Sequence, residues 1–228
     1  MTARMAPLAR RLPAASLVLF SALVACKSTV SGGSGPAEEG NGVARTETRT
    51  VPSFDALEVD VPMNVEVSPG PLSVTLTGDE NLLPLVTTTV TGGKLVVSQT
   101  KALTVHQPLA LTVHVPSLAR LESGSLGKLR VTGIDVPRFV LAANGAAEVT
   151  LEGKADGVEV DANGVASVHA SSLAAKDAKV SVTGTGSVEV AASGKLDATV
   201  TGMGGVFYKG SPAVTKSVTG LGFVKPLT

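Results

Sequence analysis

The chain has 228 residues, of which 43% are hydrophobic, 3% aromatic and 17% charged, where an average globular chain carries about 25% charged residues. With 25 Gly, 13 Pro, no Trp and one Cys, it suits strands and tight turns and excludes a coiled coil, a helical bundle or a disordered chain. Its 19 basic and 19 acidic groups cancel, and no basic cluster of the kind that nucleic acid requires is present.

Residues 1–25 read as a secretory leader. Arg4, Arg10 and Arg11 form a basic start, and Leu12 to Val24 is an apolar stretch of 13 residues. That is too short to span a bilayer, which takes about 20 helical residues. The stretch ends in Leu23-Val24-Ala25-Cys26, the pattern of a bacterial lipobox. The expected chemistry is thioether attachment of a diacylglyceryl group to Cys26 and cleavage between Ala25 and Cys26. A chance cysteine after an ordinary signal peptide is the competing reading. Cys26 is the only cysteine, so no intramolecular disulfide or cysteine-based metal site is expected. Lys27 rather than Asp follows it, which resembles an outer-membrane address. Without the leader, 16 basic groups face 19 acidic ones, a net of −3.

Residues 26–45 are rich in Gly, Ser, Pro and Glu and have no apolar period. They are expected to be a flexible tether with an r.m.s. span of roughly 24 Å.

From residue 46 onward, apolar and polar residues alternate with period two, as in Val59-Asp60-Val61, Val74-Thr75-Leu76 and Val180-Ser181-Val182. Residues 46–118 read as an irregular β part. Ser68-Pro69-Gly70-Pro71 predicts a turn, Asp79-Glu80-Asn81 a polar loop, and Thr91-Gly92-Gly93-Lys94 a Gly-Gly hairpin.

Residues 119–228 repeat. Six dipeptides mark the repeat: Ser123-Gly124, Asn144-Gly145, Asn163-Gly164, Thr183-Gly184, Thr201-Gly202 and Thr219-Gly220. Their spacing of 18–21 residues is that of a solenoid. Four residues after each of the last five glycines stands a valine: Val149, Val168, Val188, Val206, Val224. The predicted fold is all-β: a right-handed parallel β-helix whose like residues pile up in columns about 4.8 Å apart. Lys128 stands where that valine belongs in the first coil, which suggests a one-residue shift at Gly127. Lys216 in an otherwise apolar column and Lys225-Pro226 read as a cap that blunts an open edge.

Several segments resemble the head GIN domain family of auto-transporter adhesins. They are Val51-Pro52-Ser53-Phe54-Asp55-Ala56-Leu57-Glu58-Val59, Thr77 to Leu83, Gly93 to Val97 and Leu118 to Gly124. The later repeats 182–188 and 200–212, the second closing on Tyr208-Lys209-Gly210-Ser211-Pro212, belong to the same pattern. The resemblance covers about 46–226. It implies a β-helical fold, residence in the cell envelope often as a lipoprotein, and no established enzyme activity.

The search for chemistry yields little. Gly184-Thr185-Gly186 and Gly202-Met203-Gly204 open no helix and recur as corners, so turn glycines outweigh a dinucleotide loop. His106, His114 and His169 show no metal-ligand spacing, and neither a metal nor a cofactor is expected. The outward column Thr150, His169, Glu189, Phe207, Lys225 is mixed, although His169 and Glu189 could meet on neighbouring coils. Glu148, Glu152, Glu159 and Asp161 read as a solvated acidic face rather than a glycosidase pair. Phe207 and Phe223 are candidates for an exposed contact spot near the C-terminal end, against packing under a cap; Tyr208 falls in the inward phase.

The expected function is a lipid-anchored, non-catalytic envelope protein, in the outer membrane on its periplasmic or surface side. Its expected partners are the membrane, through Cys26, and an envelope protein or glycan, with no nucleic acid. The alternatives are a β-helical carbohydrate-binding or carbohydrate-active protein, and a polymer-forming envelope scaffold.

Overall fold

The computed structural model describes residues 36–227; the leader, Cys26 and residues 27–35 lie outside them. The first half contains β1 (Glu38–Glu39), β2 (Ala44–Arg49), β3 (Ala56–Val59), β4 (Asn64–Pro69) and β5 (Ser73–Asp79). A short 3-10 turn at Leu83–Leu85 leads to β6 (Val86–Thr91), β7 (Lys94–Gln99), β8 (Leu103–Thr104), β9 (Ala110–Val115) and β10 (Arg120–Ser123). Long bent strands follow: β11 (Gly127–Gly145), β12 (Ala147–Gly164), β13 (Ser167–Gly184) and β14 (Ser187–Gly202). The last coil divides into β15 (Gly205–Lys209), β16 (Ala213–Gly220) and β17 (Phe223–Pro226).

Parallel pairing of each coil with the next makes the predicted solenoid. The valine column is realised strand by strand: Val149 pairs with Val168, Val168 with Val188, Val188 with Val206 and Val206 with Val224. A second column stacks Leu57, Leu121, Leu141, Val160, Val180 and Ala198. All of these side chains are buried. Each buried valine contributes about 1.5 kcal/mol. A core this narrow has little room for rings, and among the described residues Phe139 is the one aromatic side chain fully inside it.

The N-terminal end is closed by antiparallel strands. β6 and β7 form the hairpin predicted at Thr91–Lys94, with Gly92 and Gly93 at φ 59° and 80°. β2 pairs antiparallel with β5, and β5 with β9. The turn at 68–71 does connect β4 to β5, but the two are not partners, because β9 lies between them.

Two sequence expectations need correction. Ser123 pairs with Ala143 and Gly127 with Ala147, so the register is the same on both sides of the corner and no shift occurs at Gly127. The first marker simply stands one position early: Gly124 stacks level with Asn144, and Leu129 occupies the valine column opposite Val149. The folded unit also begins ahead of residue 46. Within the stretch read as tether, Glu38–Glu39 pairs with Leu103–Thr104 and Ala44–Arg49 joins the sheet.

At the C-terminal end, β16 pairs among the described residues with β14 alone and is exposed along its whole length. Lys216 stacks on Ala198 in the inward column, between Val214 and Val218. An inward-pointing cation on an edge strand opposes further strand addition.

Candidate contact surface

The outward face of the β3–β10–β11–β12–β13–β14–β16 ladder carries alternating charge. Glu159 on β12 accepts hydrogen bonds from Arg138 and, at 3.0 Å, from Lys179 on the next strand. Those two cations, Arg138 first, hold the Glu159 carboxyl below its usual range. Asp177 accepts the backbone N–H of Lys195 at 3.0 Å. Together with Pro137 and Asp197, these side chains line a shallow open groove of about 390 Å³. Solvated pairs of this kind contribute little stability; their effect is a patterned surface.

Nearer the N-terminal end, the same face gathers Glu58, Asp60 and Glu122 around Lys94 and Arg120. Glu58 pairs in register with Glu122, and Lys94 bridges both. Burial, and then the neighbouring Glu58 carboxylate, push Asp60 up. The 2.5 Å bond from Arg120 holds Glu122 down. Pairing at a separation of 64 residues hides this cluster from any local reading of the sequence. The four acids singled out in sequence divide: Glu148 and Glu152 pair with Lys128 and Arg130 on one face, while Glu159 and Asp161 lie on the other.

On the second outward face, Thr150, His169, Glu189, Phe207 and Lys225 stack as one column. His169 Nδ1 lies 3.4 Å from Glu189 Oε1, and its Nε2 lies 3.3 Å from Ser167 Oγ. This has the order of a nucleophile, base and orienting acid. The setting is different, however: the strand is on an open face, and the backbone N–H groups around Ser167 are engaged in the ladders with β12 and β14, so no pair converges as an oxyanion hole. His106 lies against Glu39, and His114 against Ser68. Among the described residues, no group of three or more His, Cys, Asp or Glu is placed to hold a metal ion.

The structure brings the two candidate aromatics together. The Phe207 and Phe223 rings meet edge to face with centroids 5.2 Å apart. Lys225 Nζ lies 4.7 Å from the Phe223 centroid and 5.1 Å from that of Phe207. Phe223 folds back over Gly205, where a Cβ would approach its ring to 2.4 Å. Tyr208 packs against the core as its phase requires. The half-exposed cluster fastens the last coil to the one before it. Phe223→Ala is expected to lower stability by about 1–2 kcal/mol, with faster amide exchange confined to residues 213–227. Exchange unchanged in that segment would contradict the clasp.

Sequence reading missed Asp79, which it took for part of a polar loop. The carboxylate is fully buried. Oδ1 accepts the Gly42 N–H at 2.8 Å, and Oδ2 accepts those of His106 and Gln107 at 2.8 and 2.9 Å. Burial raises its pKa, but these donors outweigh it and the net shift is downward. Asp79 thereby fixes the incoming chain at residues 40–43 to the loop before β9. Only the spatial convergence of three backbone segments reveals this role.

Ladders of side chains on a parallel β-solenoid with an antiparallel N-terminal closure define the class of the fold. The chain belongs to the family described as "Putative auto-transporter adhesin, head GIN domain", which matches residues 53–212. Its fold is similar to that of an adhesin-type protein from Bacteroides fragilis NCTC 9343, at 21% identity and TM-score 0.70, covering 84% of this chain and 100% of that one. A lipid-binding-type protein from Parabacteroides distasonis ATCC 8503 is similar at 19% identity and TM-score 0.53, covering 85% and 100%. An adhesin-type protein from Parabacteroides merdae ATCC 43184 gives 19% identity and TM-score 0.51, with the same coverage. Among curated proteins nothing matches. The family places the chain among adhesin-like proteins. No helix among the described residues is long and apolar enough to cross a membrane.

Proposed function

We propose that this is a lipid-anchored protein of the cell envelope, held through Cys26 in the outer membrane, whose β-helix makes non-catalytic contacts with an envelope protein or glycan. The observation that carries the anchor is the sequence Leu23-Val24-Ala25-Cys26, which contains the only cysteine and closes a short basic-then-apolar leader. Two or more acyl chains, at about 0.8 kcal/mol per buried methylene, give stable attachment. Adhesin-like family membership and the patterned outward ladders support the contact role.

Metabolic labelling with palmitate and membrane fractionation test the anchor. Wild-type protein is expected in the membrane fraction and labelled, and Cys26→Ser in the soluble fraction and unlabelled. Retention of the serine variant in membranes would sink the reading.

The charged groove favours glycan contact as a second reading, because its alternating cations and anions offer donors and acceptors side by side. Glycan-array binding that Lys179→Glu abolishes would support it, and an unchanged profile would remove it.

A further inference from the structure

One corner of the solenoid is exposed along its length and, apart from Thr185, apolar. From Gly145 onward the residue after each marker glycine turns outward, and the ladder stacks these residues. Val165, Thr185, Met203 and Leu221 each donate a backbone N–H, at 2.9 Å, to the carbonyl of the glycine one coil below. The registers on either side place Leu126 and Ala146 ahead of them. The six form a straight ridge with five steps of about 4.8 Å, roughly 24 Å long. Leu126, Val165, Met203 and Leu221 are 60, 63, 63 and 82% exposed, so the four most exposed large apolar side chains among the described residues stand in one line.

The flanks are uncharged over most of that line. Asn163, Thr183 and Thr201 border it on one side, and Ser167, Ser187 and Gly205 on the other. Burying the ridge therefore leaves few charges to desolvate. The C-terminal end adds a charge signal: after Asp197 the chain carries Lys209, Lys216 and Lys225 and no acid. An exposed apolar ridge whose last segment holds no carboxylate to oppose anionic headgroups suits the interface of a bilayer bearing them.

The entry of the chain points the same way. Asp79 ties residue 42 to His106 and Gln107. Pro108 and Leu109, immediately after them, share a surface depression with Leu126, the first member of the ridge. Nine residues separate Cys26 from Pro36, so over ten backbone steps an anchor at Cys26 cannot lie more than about 36 Å from the start of the described chain.

We infer that the ridge Leu126–Ala146–Val165–Thr185–Met203–Leu221 lies against the anionic bilayer surface, so that the solenoid rests along the membrane instead of standing away from it. This rests on the proposed attachment at Cys26. The orientation leaves the opposite flank of the solenoid free for contact.

The test uses the chain from Cys26 onward, coupled by its single thiol to maleimide-lipid vesicles containing phosphatidylglycerol and brominated phosphatidylcholine. This tether does not depend on native acylation, so failure of the anchor reading, seen by palmitate labelling, is distinguished from failure of the ridge. The protein has no tryptophan, which allows single reporters. Met203→Trp is expected to show blue-shifted emission and at least threefold more bromolipid quenching than Ser193→Trp, which is exposed and off the ridge. Quenching of a Val165→Trp reporter is expected to fall at least threefold when Met203→Asp and Leu221→Asp are added, with unchanged circular dichroism. Equal quenching of the two reporters would overturn the inference. So would a Met203→Trp signal that shifts only in intact envelopes and not on protein-free vesicles, which would assign the ridge to a protein or glycan partner.

Discussion

Gly184→Ala is expected to destabilise the solenoid by about 3 kcal/mol or more, a large effect for one methyl group. Gly184 sits at φ +114°, a conformation that L side chains rarely adopt, and a Cβ there would stand 2.5 Å from the carbonyl oxygen of Gly164. That oxygen cannot retreat, because it accepts the backbone N–H of Thr185 at 2.9 Å. The strain is therefore passed to the neighbouring coils, since Gly164 and Gly202 occupy the same corner above and below. Urea unfolding should show a lower midpoint. Thr185→Ala, one residue further on and exposed, should leave the midpoint within error. Equal midpoints for the two variants would refute the account.

Removal of the Asp79 carboxylate is the second large effect expected. In Asp79→Ala three backbone N–H groups lose their acceptor, and desolvated donors without partners are costly. Asp79→Asn should recover part of the loss. One amide oxygen can serve His106 and Gln107, but the amide nitrogen then faces the Gly42 N–H. The expected order of melting temperature is wild type, Asn, then Ala. Amide exchange should accelerate first at residues 40–43 and 105–107.

The pH dependence has a definite sign. The folded pKa of Asp79 is depressed below its unfolded value. Its contribution is present above the unfolded carboxylate pKa, near 4, and is lost as pH falls through the folded one. Wild type should therefore lose stability below about pH 4 more steeply than Asp79→Asn, and the two curves should converge in acid. Parallel curves would show that the carboxylate does not supply the difference.

The regular coils were legible in sequence because a parallel in-register ladder copies its spacing directly into the chain. Val149, Val168, Val188, Val206 and Val224 recur because each stacks on the last. The same logic put His169 within reach of Glu189 on the neighbouring coil, and the two do meet. It misled at Lys128, where the marker dipeptide and not the strand was displaced. The irregular β part was hidden for the opposite reason: its partners are far apart. Nothing local says that β9 lies between β4 and β5, or that Glu38–Glu39 pairs with Leu103–Thr104.

The sequence by itself determined the architecture of residues 119–228, the pattern of core and corner, the family, and the expectation of an anchor at Cys26. Each of these depends on spacing or on a local motif. The tertiary structure decided which distant residues share a surface: the Asp79 clamp, the Glu58, Asp60 and Glu122 cluster, the Phe207, Phe223 and Lys225 clasp, and the apolar corner from Leu126 to Leu221. Polar, aromatic and exposed side chains carry no period of their own. The coils bring them together only after the buried columns have fixed the register.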